Sequence, residues 1–233
     1  MTNLAVVPDV RWPQGSGARI AHAIGLALLN QAALVVPLVA IAPRLMDSDP
    51  FEAPPAAFLL LALIGLLQAG VVVGAGLLRW GGLSLRDLGW RSDAVARDVA
   101  RGLVGFAIVT IIVMGLRWTR AGDAAVLDAW HAVLSYSPAQ RALFFSIGVI
   151  AAFGEESIFR GYLQPTLTTR FGEAGGVLVT AAFFSAYHVQ FAPIRLLGLF
   201  LIGLVYGVLR ARGQSLVAPA IAHWLCWAVL GPI

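Results

Sequence analysis

Two adjacent glutamates and an arginine interrupt the run A-A-F-G-E-E-S-I-F-R-G-Y-L-Q, residues 151–164, which is otherwise apolar enough to lie inside a membrane. An ionisable side chain at the bilayer centre costs roughly 2.5–3.5 kcal/mol on insertion scales, so Glu155, Glu156 and Arg160 require partners or chemistry to perform. Glu156 and Arg160 stand four apart, one helical turn, with the acid on the N-terminal side as such pairs prefer. Glu155 lies about 100° further round the same helix, and is the carboxylate left less neutralised. The spacing therefore predicts Glu156 as a brace and Glu155 as a reagent. His188 and His223 each fall in an apolar helical segment with no acid nearby in sequence. Taken singly, each would be an ordinary hydrogen-bonded core histidine. Beside an intramembrane glutamate pair they become more. One Glu and two His make the ligand count of a catalytic zinc with an open position. They are equally the parts of a general base and an electrophilic helper acting on water. The candidate site is thus Glu155, Glu156, Arg160, His188 and His223, with Glu155, His188 and His223 as the ligands of any divalent metal such as zinc.

These residues need helices to hold them, and the composition supplies membrane helices. Of 233 residues, 59% are hydrophobic and 12% charged, and the mean hydropathy is +0.84. Soluble domains carry about 25% charged residues, so this is membrane composition. The net charge of +4 would suggest nucleic acid in a soluble chain. Here all sixteen basic residues are arginines beside apolar segments, which points to membrane anchoring and excludes a nucleic-acid partner. The absence of lysine beside abundant Ala and Gly fits a bacterial source. Cys226 is alone, so no internal disulfide and no CxxC metal site exists, and it reads as a small buried hydrophobe.

The apolar runs predict an all-α integral membrane protein, a single bundle of about seven spans with an eighth short or re-entrant one allowed. Residues 1–18 read as a polar, disordered cytoplasmic tail, and 19–233 as one transmembrane domain. The first span covers about 20–42, too long for a signal-peptide core and without a small-residue cleavage site. A loop with Asp47, Asp49 and Glu52 leads to a second span at 56–78. An arginine-rich connector, 79–101, reads as carrying a short interfacial element before a third span at 102–116. A polar loop over 117–140 precedes a long fourth helix, 141–170, and three shorter spans follow at 175–189, 193–209 and 216–230. Trp80, Trp90, Trp118 and Trp130 fall near span ends, as an aromatic belt requires. Glycine pairs at 70/74 and 203/207 would let helices approach closely. His22 opens the first span and His131 lies in a loop, and neither reads as catalytic. At 1.5 Å per residue, Glu155 and His188 come out roughly 20 Å from the cytoplasmic side and His223 roughly 10 Å, which makes His223 the more distant partner.

The motifs also resemble a family. E-E-S-I-F-R matches the E-E-x-x-x-R signature of the CPBP intramembrane proteases, a group with CAAX prenyl proteases and bacteriocin-processing and immunity proteins. F-S-A-Y-H, ending at His188, resembles that family's F-x-x-x-H, and the stretch ending at His223 resembles its last block. The resemblance covers about 139–230. It implies an endopeptidase cutting a membrane-associated peptide or protein tail near or within the bilayer. Glu155 would activate water with His188 as partner, Glu156 and Arg160 would hold the helix, and His223 would polarise the carbonyl or bind metal. One position departs from the pattern. Trp227 stands one turn after the last histidine, where the family has Asn or Asp. An indole donates only and cannot bind a metal, though its N–H can reach an oxyanion. Asn30 is the only asparagine at membrane depth.

Two further readings compete. A non-catalytic membrane interaction or immunity protein would keep the charged cluster for folding alone. A transporter would use it as an ion site, but paired halves are lacking. Placing the N-terminus inside puts ten arginines on the cytoplasmic side and five outside, in keeping with the positive-inside rule. The protein is then expected in a bacterial inner membrane with its C-terminus outside. A reporter fused after Ile233 should read as extracytoplasmic, and a cytoplasmic signal would put the span count wrong by one.

Overall fold

A computed structural model of the chain describes residues 15–45, 60, 63–135, 137–189 and 191–230, and these are helical with short connections and no strand among them. Of the tail expected at 1–18, residues 1–14 lie outside the described residues, whereas 16–18 are already the first turn of a helix. The acidic loop with Asp47, Asp49 and Glu52, the start of the second expected span at 56–59 and Ile233 also lie outside them. α1 runs Ser16–Leu45, and it buries Ala23, Leu26, Ala27 and Asn30. That i, i+3, i+4, i+7 spacing is one helical stripe. α2 spans Leu63–Trp80 and is wound as a π-helix over Gln68–Trp80. Gly76 of α2 receives Leu26 of α1, whose side chain would collide with any β-carbon there.

α3, Leu85–Leu88, is a single turn set by a capping box. Ser84 Oγ accepts from the Asp87 N–H at 3.1 Å, and Asp87 Oδ2 accepts from the Ser84 N–H at 2.8 Å. Those bonds from Ser84 hold the Asp87 carboxyl below its ordinary value. Gly89 ends the turn at φ 100°, a left-handed conformation that suits glycine. The connector is not merely interfacial. Leu88 is fully buried against Gly161, and Trp90 Nε1 donates to Ser157 Oγ at 2.8 Å while its ring lies 5.2 Å from Phe153. Trp90 is therefore a brace on the helix carrying the acids, whereas Trp80 and Trp118 stay exposed as a belt would have them.

α4 covers Val95–Ser135. The loop expected at 117–140 is thus mostly helix, because nothing between Arg117 and Ser135 is a helix breaker: the stretch has neither proline nor more than one glycine. α5, Pro138–Glu156, starts three residues earlier than expected and passes into a π-turn over Ser157–Leu163. α6 covers Gln164–Tyr187, and the chain reverses within it at Gly172 (φ 73°, ψ 173°). The reversal folds Gly176 onto Thr168 so closely that a β-carbon would clash with Thr168 backbone. α7 is Pro193–Gly213, and α8 is Val217–Leu225 followed by a π-turn at Cys226–Leu230.

Three described helical stretches are long and apolar enough to cross a membrane: Leu63–Trp80, Val95–Thr119 and Pro193–Gly213, with Val217–Leu230 apolar but shorter. α5, the π-turn after it and α6, which carry most of the site, are not among the three, and they contain Arg141, Glu155, Glu156, Arg160, Arg170 and Glu173. The two glycine pairs behave differently. Gly70 is exposed with open space beside it. At Gly203 a β-carbon would stand 3.1 Å from Ala181 Cα, and at Gly207 one would stand 3.0 Å from Val177. Only the second pair is a helix contact. Gly203→Val should destabilise the protein by about 1–3 kcal/mol through overpacking against α6, while Gly70→Val should change little. Thermal unfolding in detergent compares them, and equal melting temperatures would mean α6 and α7 do not meet at Gly203.

Candidate active site

The site is built where α5 changes its winding. In the π-turn each N–H reaches back five residues, so Gln164 N–H donates to Phe159 O. Pro165 has no N–H, which leaves the Arg160 carbonyl without a helical donor. Arg210, buried on α7, fills that role through Nε at 3.2 Å. The wide turn buries every side chain from Ser157 to Leu163, with Arg160 wholly covered.

Glu156 and Arg160 form the predicted pair, Nη1 to Oε1 at 3.2 Å, and neither side chain has any solvent exposure. A guanidinium so placed needs more than one acceptor. Nη2 donates to the Gly203 carbonyl at 3.1 Å, and the cation lies 4.2 Å from the Phe184 ring centre and 5.2 Å from that of Tyr206. One turn along, Gln164 Nε2 donates to the Gly207 carbonyl at 2.9 Å. The glycines on α7 thus present bare carbonyls to two polar side chains four residues apart.

His223, on α8, donates from Nδ1 to the same Glu156 oxygen at 2.8 Å and stacks on Tyr206 at 5.0 Å. His188, at the C-terminal cap of α6, donates from Nδ1 to the Phe184 carbonyl at 2.8 Å. Each acceptor can only accept, so each neutral ring carries its proton on Nδ1 and its lone pair on Nε2. Both Nε2 atoms then face Glu155 Oε2, each at 4.0 Å. That oxygen is buried and has no hydrogen-bond partner in the protein. The structure corrects one expectation. His223 is no further from Glu155 than His188 is, because the depth estimate assumed straight helices counted from loop ends and α8 brings His223 across. Access is unequal: the His188 side chain is 25% exposed and that of His223 only 5%, so the site opens on the His188 side.

The donor set, with each imidazole anchored through its other nitrogen, is one zinc accepts. The spacing is wider. Bonds of about 2.1 Å at tetrahedral angles put neighbouring ligands about 3.4 Å apart, and among the described residues no group of three or more His, Cys, Asp or Glu is close enough to hold a metal. A separation of 4.0 Å instead suits an oxygen atom hydrogen-bonded to both sides, each leg about 2.8 Å.

Asn30 was visible in the sequence without a place. It is buried on α1, and its Nδ2 donates to the Tyr187 hydroxyl at 2.6 Å. Tyr187 precedes His188 and packs edge-on against it, with ring centres 5.1 Å apart. Nothing in the sequence motifs marked Tyr187. Trp227 packs its β-carbon on Gly148 and is half-buried. Gly148 is seven residues, about 10 Å along α5, from Glu155.

The architecture defines an all-helical membrane protein with a Glu–His–His cluster inside it. Residues 137–229 match the family model described as Rce1-like, type II CAAX prenyl endopeptidase, and this bears out the resemblance carried by the three motifs. The matched stretch is under half the chain and includes all five candidate residues. No curated protein and no solved structure matches the chain.

Breaking the buried pair leaves an uncompensated charge, at a cost of about 3–5 kcal/mol. Glu156→Ala and Arg160→Ala should each lower the unfolding temperature in detergent and the amount of protein in the membrane. If either were as stable as wild type, the ion pair would not be what holds α5 to α7.

Proposed function

We propose that the chain is an intramembrane endopeptidase of the CPBP type, cutting a membrane-associated peptide or protein tail with water activated by Glu155. The observation that carries this reading is the convergence of two imidazole lone pairs and one unpartnered carboxylate oxygen at 4.0 Å spacing inside an apolar bundle. A water there donates to Glu155 Oε2 and to one Nε2. Glu155 takes its proton, the new hydroxide forms a C–O bond with the scissile carbonyl, and the C–N bond breaks as the proton passes to the leaving nitrogen. His188, on the open side, stands beside the substrate path and holds the water. His223 closes the far side, its ring fixed by Glu156 and so indirectly by Arg160.

A zinc-dependent form is the second reading, favoured by the anchored imidazoles. Glu155, His188 and His223 would hold the ion, which would lower the pKa of a bound water. Dialysis against chelator with metal analysis distinguishes the two: activity that survives with substoichiometric metal supports water alone.

Two internally quenched probes test the activity, one peptide ending in a farnesylated Cys and three further residues, and one unlipidated hydrophobic peptide. The full chain is reconstituted in phospholipid vesicles. Wild type should cleave at least one probe, and Glu155→Gln should lower kcat by about 10²–10⁴-fold while reaching normal levels in the membrane. Equal rates for wild type and Glu155→Gln would leave the cluster a folding device, as in a non-catalytic immunity protein.

A further inference from the structure

The cluster around Glu155 has an imbalance that the protease reading leaves open. Glu155 Oε2, His188 Nε2 and His223 Nε2 are all acceptors once both Nδ1 protons are committed to Phe184 and Glu156. Attack on a carbonyl puts negative charge on its oxygen, and that charge needs donors. His223 could donate through Nε2 only in a doubly protonated form. Trp227, the donor that stands one turn beyond His223, has its β-carbon against Gly148, about 10 Å along α5 from Glu155.

A donor-rich pair stands nearby, Tyr187 at the end of α6 and Asn30 of α1, and Asn30 comes from outside the family-matched stretch. Asn30 is 1% exposed in the middle of α1, an unusual position for a carboxamide without a task. Its Oδ1 faces the backbone of α5 at Gly154, the residue before Glu155, 3.5 Å from where a β-carbon would stand, and it has no partner. Its main-chain carbonyl accepts from Gln68 Nε2 at 3.3 Å, which ties this turn of α1 to α2. Its Nδ2 donates to Tyr187 OH at 2.6 Å. Because the Tyr187 oxygen accepts there, the phenol proton is left to point elsewhere, and no acceptor for it is found among the described residues. The hydroxyl lies within electrostatic reach of Glu155, and the ring is wedged between Phe159 and His188. An amide that donates into a hydroxyl also strengthens that hydroxyl as a donor.

We propose that Tyr187 donates its phenol proton in a hydrogen bond to the scissile carbonyl oxygen, and that Asn30 is the positioning residue that aims and polarises it. The inference rests on the protease reading and adds to it a residue of α1, so that the N-terminal helix completes the site. No proton is transferred. The phenol hydrogen bond shortens as charge builds on the oxygen and relaxes when the tetrahedral adduct collapses.

The test uses the full chain in phospholipid vesicles with whichever of the two quenched peptides the wild type cleaves. Tyr187→Phe should lower kcat about 10²-fold, the usual effect of losing one such donor, with KM changed less than threefold. Asn30→Ala should lower kcat roughly tenfold, the worth of one positioning hydrogen bond. In the Tyr187→Phe background, Asn30→Ala should have no further effect on kcat, because its only route to the substrate is gone. Two independent losses that multiply would overturn the proposal, and so would an unchanged kcat in Tyr187→Phe. A purely structural role for Asn30 would appear as a lowered unfolding temperature and a reduced active fraction, with kcat per active molecule intact, which also overturns it. Inactivity of the wild type towards both peptides would instead remove the protease reading, and this inference with it.

Discussion

A carboxylate and a guanidinium buried without any solvent exposure make the whole arrangement interdependent. Each ion alone would cost several kcal/mol of desolvation, and their mutual attraction offsets this only when the remaining donors and lone pairs are also met. Glu156 meets the requirement in part, accepting from Arg160 and His223 on Oε1 while its buried Oε2 has no hydrogen-bond partner. Arg160 meets it in part, through the Gly203 carbonyl and the faces of Phe184 and Tyr206, with its buried Nε left without a hydrogen-bond partner. Four helical elements, α5, α6, α7 and α8, are therefore tied at one point. Such a pair contributes less to net stability than to register, since sliding α7 by one residue would strip Arg160 of its carbonyl. The glycines at 203 and 207 follow from the same need, because a side chain there would hold the helix too far away for either polar group to reach.

The two neighbouring glutamates differ only in what surrounds them. Glu156 is paired with Arg160 and held by His223. Glu155, one residue earlier and about 100° round the helix, meets two imidazole lone pairs at 4.0 Å and no donor. A carboxylate next to acceptors is a poor structural partner and a good base. The π-turn that follows is part of this division, since its wide winding together with Pro165 releases the Arg160 carbonyl to Arg210.

The part of the chain outside the family-matched stretch is also used. α3 seats Leu88 on Gly161, and Trp90 donates to Ser157 in the first turn of the π-segment. α1 brings Asn30 against Gly154, the neighbour of Glu155 on α5, and against Tyr187, the neighbour of His188 on α6. The wide turn is thus held by α1 and α3 as well as by α7.

Much of the chemistry was legible because it is local. Glu156 and Arg160 pair at i, i+4, a distance set by the covalent geometry of a helix whatever else it touches, and the apolar runs placed most helices to within a few residues. The loop expected at 117–140 was misjudged because scattered polar residues resemble a turn, while a stretch with no proline and a single glycine remains helical. Depth counting put His223 too far from Glu155, since it knows how many residues precede a side chain but not how helices lean. Gly70/Gly74 and Gly203/Gly207 are the same pattern in one dimension, and only packing decided that the second touches a neighbour. The same holds for Asn30 and Tyr187, 157 residues apart and joined by a single hydrogen bond. The sequence by itself determined which groups are ionisable, which are buried and which lie one turn apart. The tertiary structure alone decided which helices meet, because that depends on side-chain volumes and bare carbonyls from distant parts of the chain fitting together at once.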